Sequence, residues 1–249
     1  PNIQYGKPMT EYLLVLFIGV ISGVVSGVIG TGASIMLLPA LVLCFGPKQA
    51  VPIMAVAAIV GNISRVILWR KDIHWKAFLA YSVTGVPAAA FGAQTLWSLK
   101  ATWIDIVLGT FFLLMIPYRH WARSRNFTLS VWQLAVAGIL VGYLTGIVLS
   151  TGPLTIPIFS AYGLLKGPLL STEAAASFVI YLSKTITFKA IGGLPLSVVL
   201  KGLVIGLSLA AGVSIGKFIT LKISMTTFQR LLDFLMLLSG VSLIAGGFS

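Results

Sequence analysis

The sequence predicts an all-α integral membrane protein built from two inverted-topology repeats of about five helical segments each, with broken or re-entrant helices near the bilayer midplane. Three observations predict it. The chain is 58% hydrophobic and only 9% charged, far below the roughly 25% charge of a soluble domain. Two glycine ladders, Gly19-Gly23-Gly27 and Gly138-Gly142-Gly146, recur 119 residues apart. Each ladder runs into a Thr-Gly step, Thr31-Gly32 and Thr151-Gly152, and then a short apolar run ending near Gly46-Pro47 or Lys166-Gly167-Pro168. A duplicated unit interrupted at the same place in both copies points to a transporter's binding site.

The elements follow in order. The first repeat (1–117) holds apolar segments at 11–29, 33–45, 48–69, 76–97 and 101–117. Residues 118–130 read as a cytoplasmic connector, and the second repeat (131–249) holds segments at 131–149, 153–165, 169–189, 195–215 and 223–246. Segments 11–29 and 131–149 carry the ladders. Glycines four apart bare one helix face for close approach by another helix. Segments 33–45 and 153–165 are too short, at 1.5 Å per residue, to cross a hydrocarbon core of about 30 Å. Each is a tilted short helix or half of a re-entrant hairpin. The remaining segments approach the roughly 20 residues that a membrane helix needs. Residues 1–10 show no basic n-region and no cleavage site, and do not read as a signal peptide.

Five segments is an odd number, so the second repeat is expected to be inverted. The charges agree. Arg70, Lys71, Lys76, Arg119, Arg123, Arg125, Lys166, Lys217 and Lys222 fall on one side, and Lys7, Lys48, Lys100, Lys189 and Lys201 on the other. The positive-inside rule puts the richer side in the cytoplasm and both termini outside. Trp69, Trp75, Trp97, Trp103, Trp121 and Trp132 lie near segment ends, where an aromatic belt belongs. A net charge of +12 spread over both sides makes no nucleic-acid face. The lipid bilayer and a small anion are the partners expected; a homo-oligomer is compatible with the sequence and not required by it.

His74 and His120 sit in interfacial loops, and no second cluster of His, Cys or carboxylates stands at ligand spacing, so neither a metal nor a cofactor is expected. The breaks carry the chemistry instead. Thr31, Gly32, Ala33 and Ser34, and in the second copy Ser150, Thr151 and Gly152, combine permissive backbone with small hydroxyls. Free N–H groups where a new helix starts bind anions, and lipid exposure would leave them unsatisfied. Pro153 fits the first turn of such a helix. Arg65 lies within 48–69, one turn after Asn62; its repeat mate is Lys184, preceded by Tyr181. Intramembrane cations are costly and mark ion paths. Glu173, Ser177 and Tyr181 extend the polar line along the same helix, and Glu173 is the acid best placed for proton coupling. Arg230 and Asp233, three apart, read as a structural pair.

These residues resemble the TauE/SafE (TSUP) family of sulfite and organosulfonate exporters. Gly30-Thr31-Gly32-Ala33-Ser34 followed by Pro39-Ala40-Leu41 is similar to the family's glycine-rich turn and Pro-x-Leu, with Ala33 and Ser34 in place of two glycines. The second copy, Ser150-Thr151-Gly152-Pro153 with Pro157, departs further. Asp72-Ile73-His74-Trp75 resembles the charged loop before the fourth segment, and the small-residue run 85–92 resembles the fourth helix itself. The run 212–217, leading into the last helix, resembles the C-terminal signature. The resemblance implies a bacterial-type inner-membrane permease, an exporter, for small sulfur-containing anions such as sulfite, sulfoacetate or thiosulfate. The repeat and the cations by themselves reach only a small anion.

The expectation is therefore a non-enzymatic secondary transporter working by alternating access. The anion would sit between the breaks, with Arg65 and Lys184 balancing its charge. An anion channel of the same fold is the alternative; inverted repeats with broken helices favour a carrier. A membrane-embedded serine hydrolase built on Ser34 would need a base within hydrogen-bond reach, and the histidines lie elsewhere in the sequence.

Overall fold

The computed structural model describes residues 9–29, 33–123, 128–148 and 152–218, and beyond them residues 230, 233–234, 237, 240–241 and 244–245. Among these residues the structure is helical, with no strand. The helices are α1 (Met9–Ile29), α2 (Ala33–Phe45), α3 (Pro47–Trp69), α4 (Trp75–Ser98), α5 (Ala101–Arg123), α6 (Val131–Ile147), α7 (Gly152–Ala161), α8 (Lys166–Ala190) and α9 (Leu196–Phe218). A single 3-10 turn, Arg70–Asp72, joins α3 to α4.

Three boundaries differ from the sequence expectation. Helix α5 continues through Pro117 to Arg123, so the first part of the expected connector is helical. Tyr118 packs its ring on Trp121, and His120 reaches Asp233 at 2.9 Å, contacts that reward the extra turn. Helix α7 ends at Ala161 instead of running to 165, because Gly163 turns the chain at φ 101°. Helix α8 correspondingly starts at Lys166. In the first half the matching turn falls on Gly46, at φ 76°, with Pro47 opening α3. Of the expected segment 223–246, the described residues are helical.

Two stretches, Lys48–Asp72 and Leu196–Gly216, are long and apolar enough to cross a membrane, and shorter apolar helical stretches include Leu13–Gly27 and Val131–Ile147. The outer surface is lipid-like. Phe17, Val83, Phe91, Leu140, Ile186 and Leu207 are each more than half exposed, an extent of apolar surface that water would not tolerate. Trp75, Trp103, Trp121 and Trp132 are also at least half exposed, each within three residues of a helix end.

The inside is organised by α3 and α8. Residues 50–58 of α3 and 171–176 of α8 are buried without interruption. A helix stretch buried on every side belongs to the core. The ladders pack around them crosswise. Gly19, Gly23 and Gly27 of α1 meet Ser208, Leu209, Gly212 and Val213 of α9. Gly138, Gly142 and Gly146 of α6 meet Tyr81, Gly85, Ala89 and Gly92 of α4. A Cβ on Gly27 would stand 2.8 Å from the Val213 carbonyl oxygen, and one on Gly142 2.5 Å from that of Gly85. The backbones are therefore in van der Waals contact, as small-residue faces permit. Thr84 Oγ1 adds a hydrogen bond to the Ala135 carbonyl across α4 and α6 at 2.7 Å.

The registers give directions. Residue numbers rise together along α1 and α9, and along α6 and α4. They also rise together along α3 and α9, where Gly202 meets Val56 and Gly206 meets Val60. Helices α4 and α8 do the same, through Ser183 to the Val86 carbonyl and Trp97 on Phe188. Helices α3 and α8 run oppositely: Asp72 meets Gly167, and Arg65 meets Glu173. Gly109 of α5 lies against Gly240.

Candidate functional site

The core helices carry the polar residues, and their spacing decides where those residues point. Asn62 and Arg65 are three apart on α3; Glu173, Ser177 and Tyr181 are four apart on α8. Each set shares one face of its helix. Because α3 and α8 are antiparallel and touch, the two faces meet.

The meeting is an ion pair. Arg65 Nη2 lies 2.6 Å from Glu173 Oε2 and donates a second hydrogen bond of 2.6 Å to Asn62 Oδ1. Side-chain exposure is 6% for Arg65 and 3% for Glu173, and a buried charge left without a partner is strongly unfavourable. The other carboxylate oxygen, Oε1, accepts from Ser177 Oγ at 2.7 Å and from Thr155 Oγ1 at 3.3 Å. Tyr181 hydrogen-bonds Ser34. A break residue of the first repeat is thus tied to a core helix of the second.

Above this network lies a cavity of about 50 Å³, lined by Ser26, Ala33, Ser34, Asn62, Arg65, Gly152, Glu173, Ser177 and Tyr181, with Met54, Ala58, Gly61, Leu209 and Val213 as its apolar walls. About 10–15 Å³ of such space holds one water, so the cavity fits a few water-sized groups, the scale of a small oxyanion. Ala33 is the first residue of α2 and Gly152 the first of α7. The first described residues of both helices therefore lie at the cavity. The first N–H groups of a helix lack intrahelical acceptors, and the helix dipole is positive there. Arginine, two helix starts, an amide and hydroxyls form a donor-rich chamber suited to oxygen atoms carrying negative charge.

Of the residues expected from sequence, Ala33, Ser34, Asn62, Arg65, Gly152 and Tyr181 line this cavity, together with Glu173. Thr31, Gly32, Ser150 and Thr151 lie outside the described residues. Lys184 is placed elsewhere. It is fully buried, its Nζ donates to the Thr145 carbonyl at 2.7 Å, and it lies 5.6 Å from the centre of the Phe188 ring. It ties α8 to α6 and is not among the cavity's lining residues, so the structure does not bring the two cations of the repeat together. The reason is position along α8: Lys184 follows Tyr181 by three residues, beyond the cavity's edge.

Ser26 and Thr155 belong to the site but were not singled out from sequence. Ser26 sits beside Gly27 on the ladder, and Thr155 follows the second break; only the packing shows what either faces. The 70–76 loop supports the site from outside it. Asp72 lies at the start of α8, and the His74 backbone N–H donates to Thr172 Oγ1 at 2.9 Å, next to Glu173. His74 Nδ1 accepts from the Ala77 N–H at 3.2 Å and caps α4. His120 is exposed and bonded to Asp233. Neither imidazole stands beside Ser34, whose described partner is Tyr181. Among the described residues no three His, Cys, Asp or Glu group as metal ligands.

The model of the family described as sulfite exporter TauE/SafE matches residues 15–243 of the chain. No curated protein and no solved structure matches it.

Proposed function

Because the chain belongs to the sulfite exporter TauE/SafE family, a family of membrane transporters, we propose that it is a secondary transporter exporting a small sulfur-containing anion, such as sulfite or sulfoacetate, across a bacterial-type inner membrane. One observation carries the reading: Arg65, itself buried, lines a cavity together with Ala33 and Gly152, the first described residues of α2 and α7. In this reading the anion's oxygens are bound by the Arg65 guanidinium, the Asn62 amide, Ser34, the N–H groups at the starts of α2 and α7, and the hydroxyls of Thr31, Ser150 and Thr151 beside those starts in sequence. Charge-assisted hydrogen bonds are about twice as strong as neutral ones, which makes Arg65 the dominant contact.

The inverted repeat is supported by the helix registers. The pair α1 and α9 repeats as α6 and α4, each parallel, while α3 crosses its mate α8 in the opposite direction. Each half gives its fourth helix to the other. Two mixed bundles result, α1 with α2, α3 and α9, and α6 with α7, α8 and α4. Alternating access then moves one mixed bundle against the other across the α3–α8 contact, where the cavity lies, instead of moving residues 1–117 against 131–249. The glycine faces keep each bundle rigid, because their backbones are too close to slide freely.

Efflux of radiolabelled sulfite from proteoliposomes tests the proposal. The expected flux saturates, is accelerated by unlabelled sulfite on the opposite side, and is lost in Arg65→Ala. Flux without saturation or trans-acceleration assigns a channel. Absence of flux for every sulfur anion tried overturns the substrate class.

A further inference from the structure

The cavity's cation is already occupied: Arg65 Nη2 is held by Glu173 Oε2 at 2.6 Å. An entering anion must compete with that carboxylate for the same guanidinium, and with both anions ionised the buried site would carry an uncompensated negative charge. Building on the transport reading above, we propose that anion binding here is linked to protonation of Glu173, so that one proton travels with each anion.

The geometry gives the proton a defined place. Oε1 of Glu173 accepts from Ser177 and Thr155, so Oε2, the oxygen facing Arg65, is where the proton goes. As it arrives from solvent, the Arg65 Nη2–H bond to Oε2 breaks and one to an anion oxygen forms. Asn62 Oδ1 continues to accept from Arg65 at 2.6 Å and keeps the guanidinium in position. When the anion leaves on the other side, the proton leaves Oε2 and the ion pair closes again. A monoanion and a proton together move no net charge.

Glu173 is faced by side chains from several neighbouring helices. Among the described residues, α3 presents Arg65 and α7 presents Thr155. Helix α4 presents Tyr81, whose buried hydroxyl has no hydrogen-bond partner among the described residues. Its own helix presents Ser177 and, two turns on, Tyr181. His74 touches α8 one residue earlier, through its backbone N–H to Thr172. Arg65 is thus the charge that competes with a proton for Glu173.

The test uses methanesulfonate, which stays ionised throughout the accessible range, so that any pH dependence belongs to the protein. Its affinity is measured on the whole detergent-solubilised chain between pH 5 and pH 9. The dissociation constant of the wild type is expected to rise with pH, by up to about tenfold per unit, and that of Glu173→Gln to be flat and close to the wild type's low-pH value. A second measurement needs no variant: adding methanesulfonate to weakly buffered wild-type protein is expected to take up one proton per anion bound. Binding without proton uptake and without a pH slope overturns the proposal and leaves the anion site standing. So does a slope that persists in Glu173→Gln. Absence of binding at every pH, for methanesulfonate and for sulfite, overturns the transport reading and this proposal with it.

Discussion

Lys184 Nζ donates to the Thr145 carbonyl oxygen at 2.7 Å, so Lys184 binds a helix backbone while Arg65 binds a carboxylate. The two cations lie 119 residues apart in sequence, and the tertiary structure gives them different partners. Arg65 faces the cavity, and Lys184 joins α8 to α6.

The two cations therefore respond differently to replacement. Arg65→Ala is expected to abolish the thermal stabilisation that sulfite gives the wild type. Lys184→Met, which keeps length and apolar bulk, should retain it, with protein stability within about 1 kcal/mol of wild type or higher, since a well-packed apolar side chain often replaces a buried charge without loss. Melting curves in detergent with and without sulfite separate the two.

The ion pair predicts a non-additive cycle. Arg65→Met alone leaves the buried Glu173 carboxylate without its countercharge, and Glu173→Leu alone removes the carboxylate that balances Arg65; each is expected to cost about 3–5 kcal/mol. The double variant should be markedly more stable than the sum of the two implies. Unfolding measurements on the four proteins give the coupling directly. Additive losses would mean that the pair is not the unit that α3 and α8 present here.

Gly142 and Gly61 form a contrasting pair. A Cβ on Gly142 would lie 2.5 Å from the Gly85 carbonyl oxygen, against backbone that has no room to move. Gly142→Ala should therefore cost at least the roughly 1–3 kcal/mol of overpacking. A Cβ on Gly61 meets only Leu209, at an ordinary 3.7 Å. Gly61→Ala should keep or raise stability by up to about 1 kcal/mol through helix propensity, while narrowing the cavity it lines. Thermal melts and anion titrations of both variants check this.

His74→Ala removes the imidazole that caps α4 and leaves the Ala77 N–H without its acceptor. The loss is expected to be about 0.5–2 kcal/mol. Anion affinity should hold, because the contact to Thr172 comes from the His74 backbone N–H, which alanine retains. A fall in affinity larger than the fall in stability would give the imidazole a role in the site.

The apolar class of the chain, its helices and the turns at Gly46 and near Gly163 are legible in the sequence. Those features are local: the run of apolar residues, the bare glycine face, the Gly-Pro turn and the exposed tryptophans are each written within a few turns of chain. It also singled out Asn62, Arg65, Glu173 and Tyr181, because polar residues inside apolar helices stand out at helical spacing. Four things came from tertiary packing. The partner of each ladder lies in the other half of the chain, since a bare face states that something approaches and not what. Lys184, three residues beyond Tyr181 on α8, lies outside the cavity lining and donates to a carbonyl oxygen of α6. Thr155 and Ser26 joined the site through contacts that no periodicity marks. Close packing of two core helices in opposite directions brought Arg65 onto Glu173, residues 108 apart in sequence, and that pairing is set by the crossing of α3 and α8.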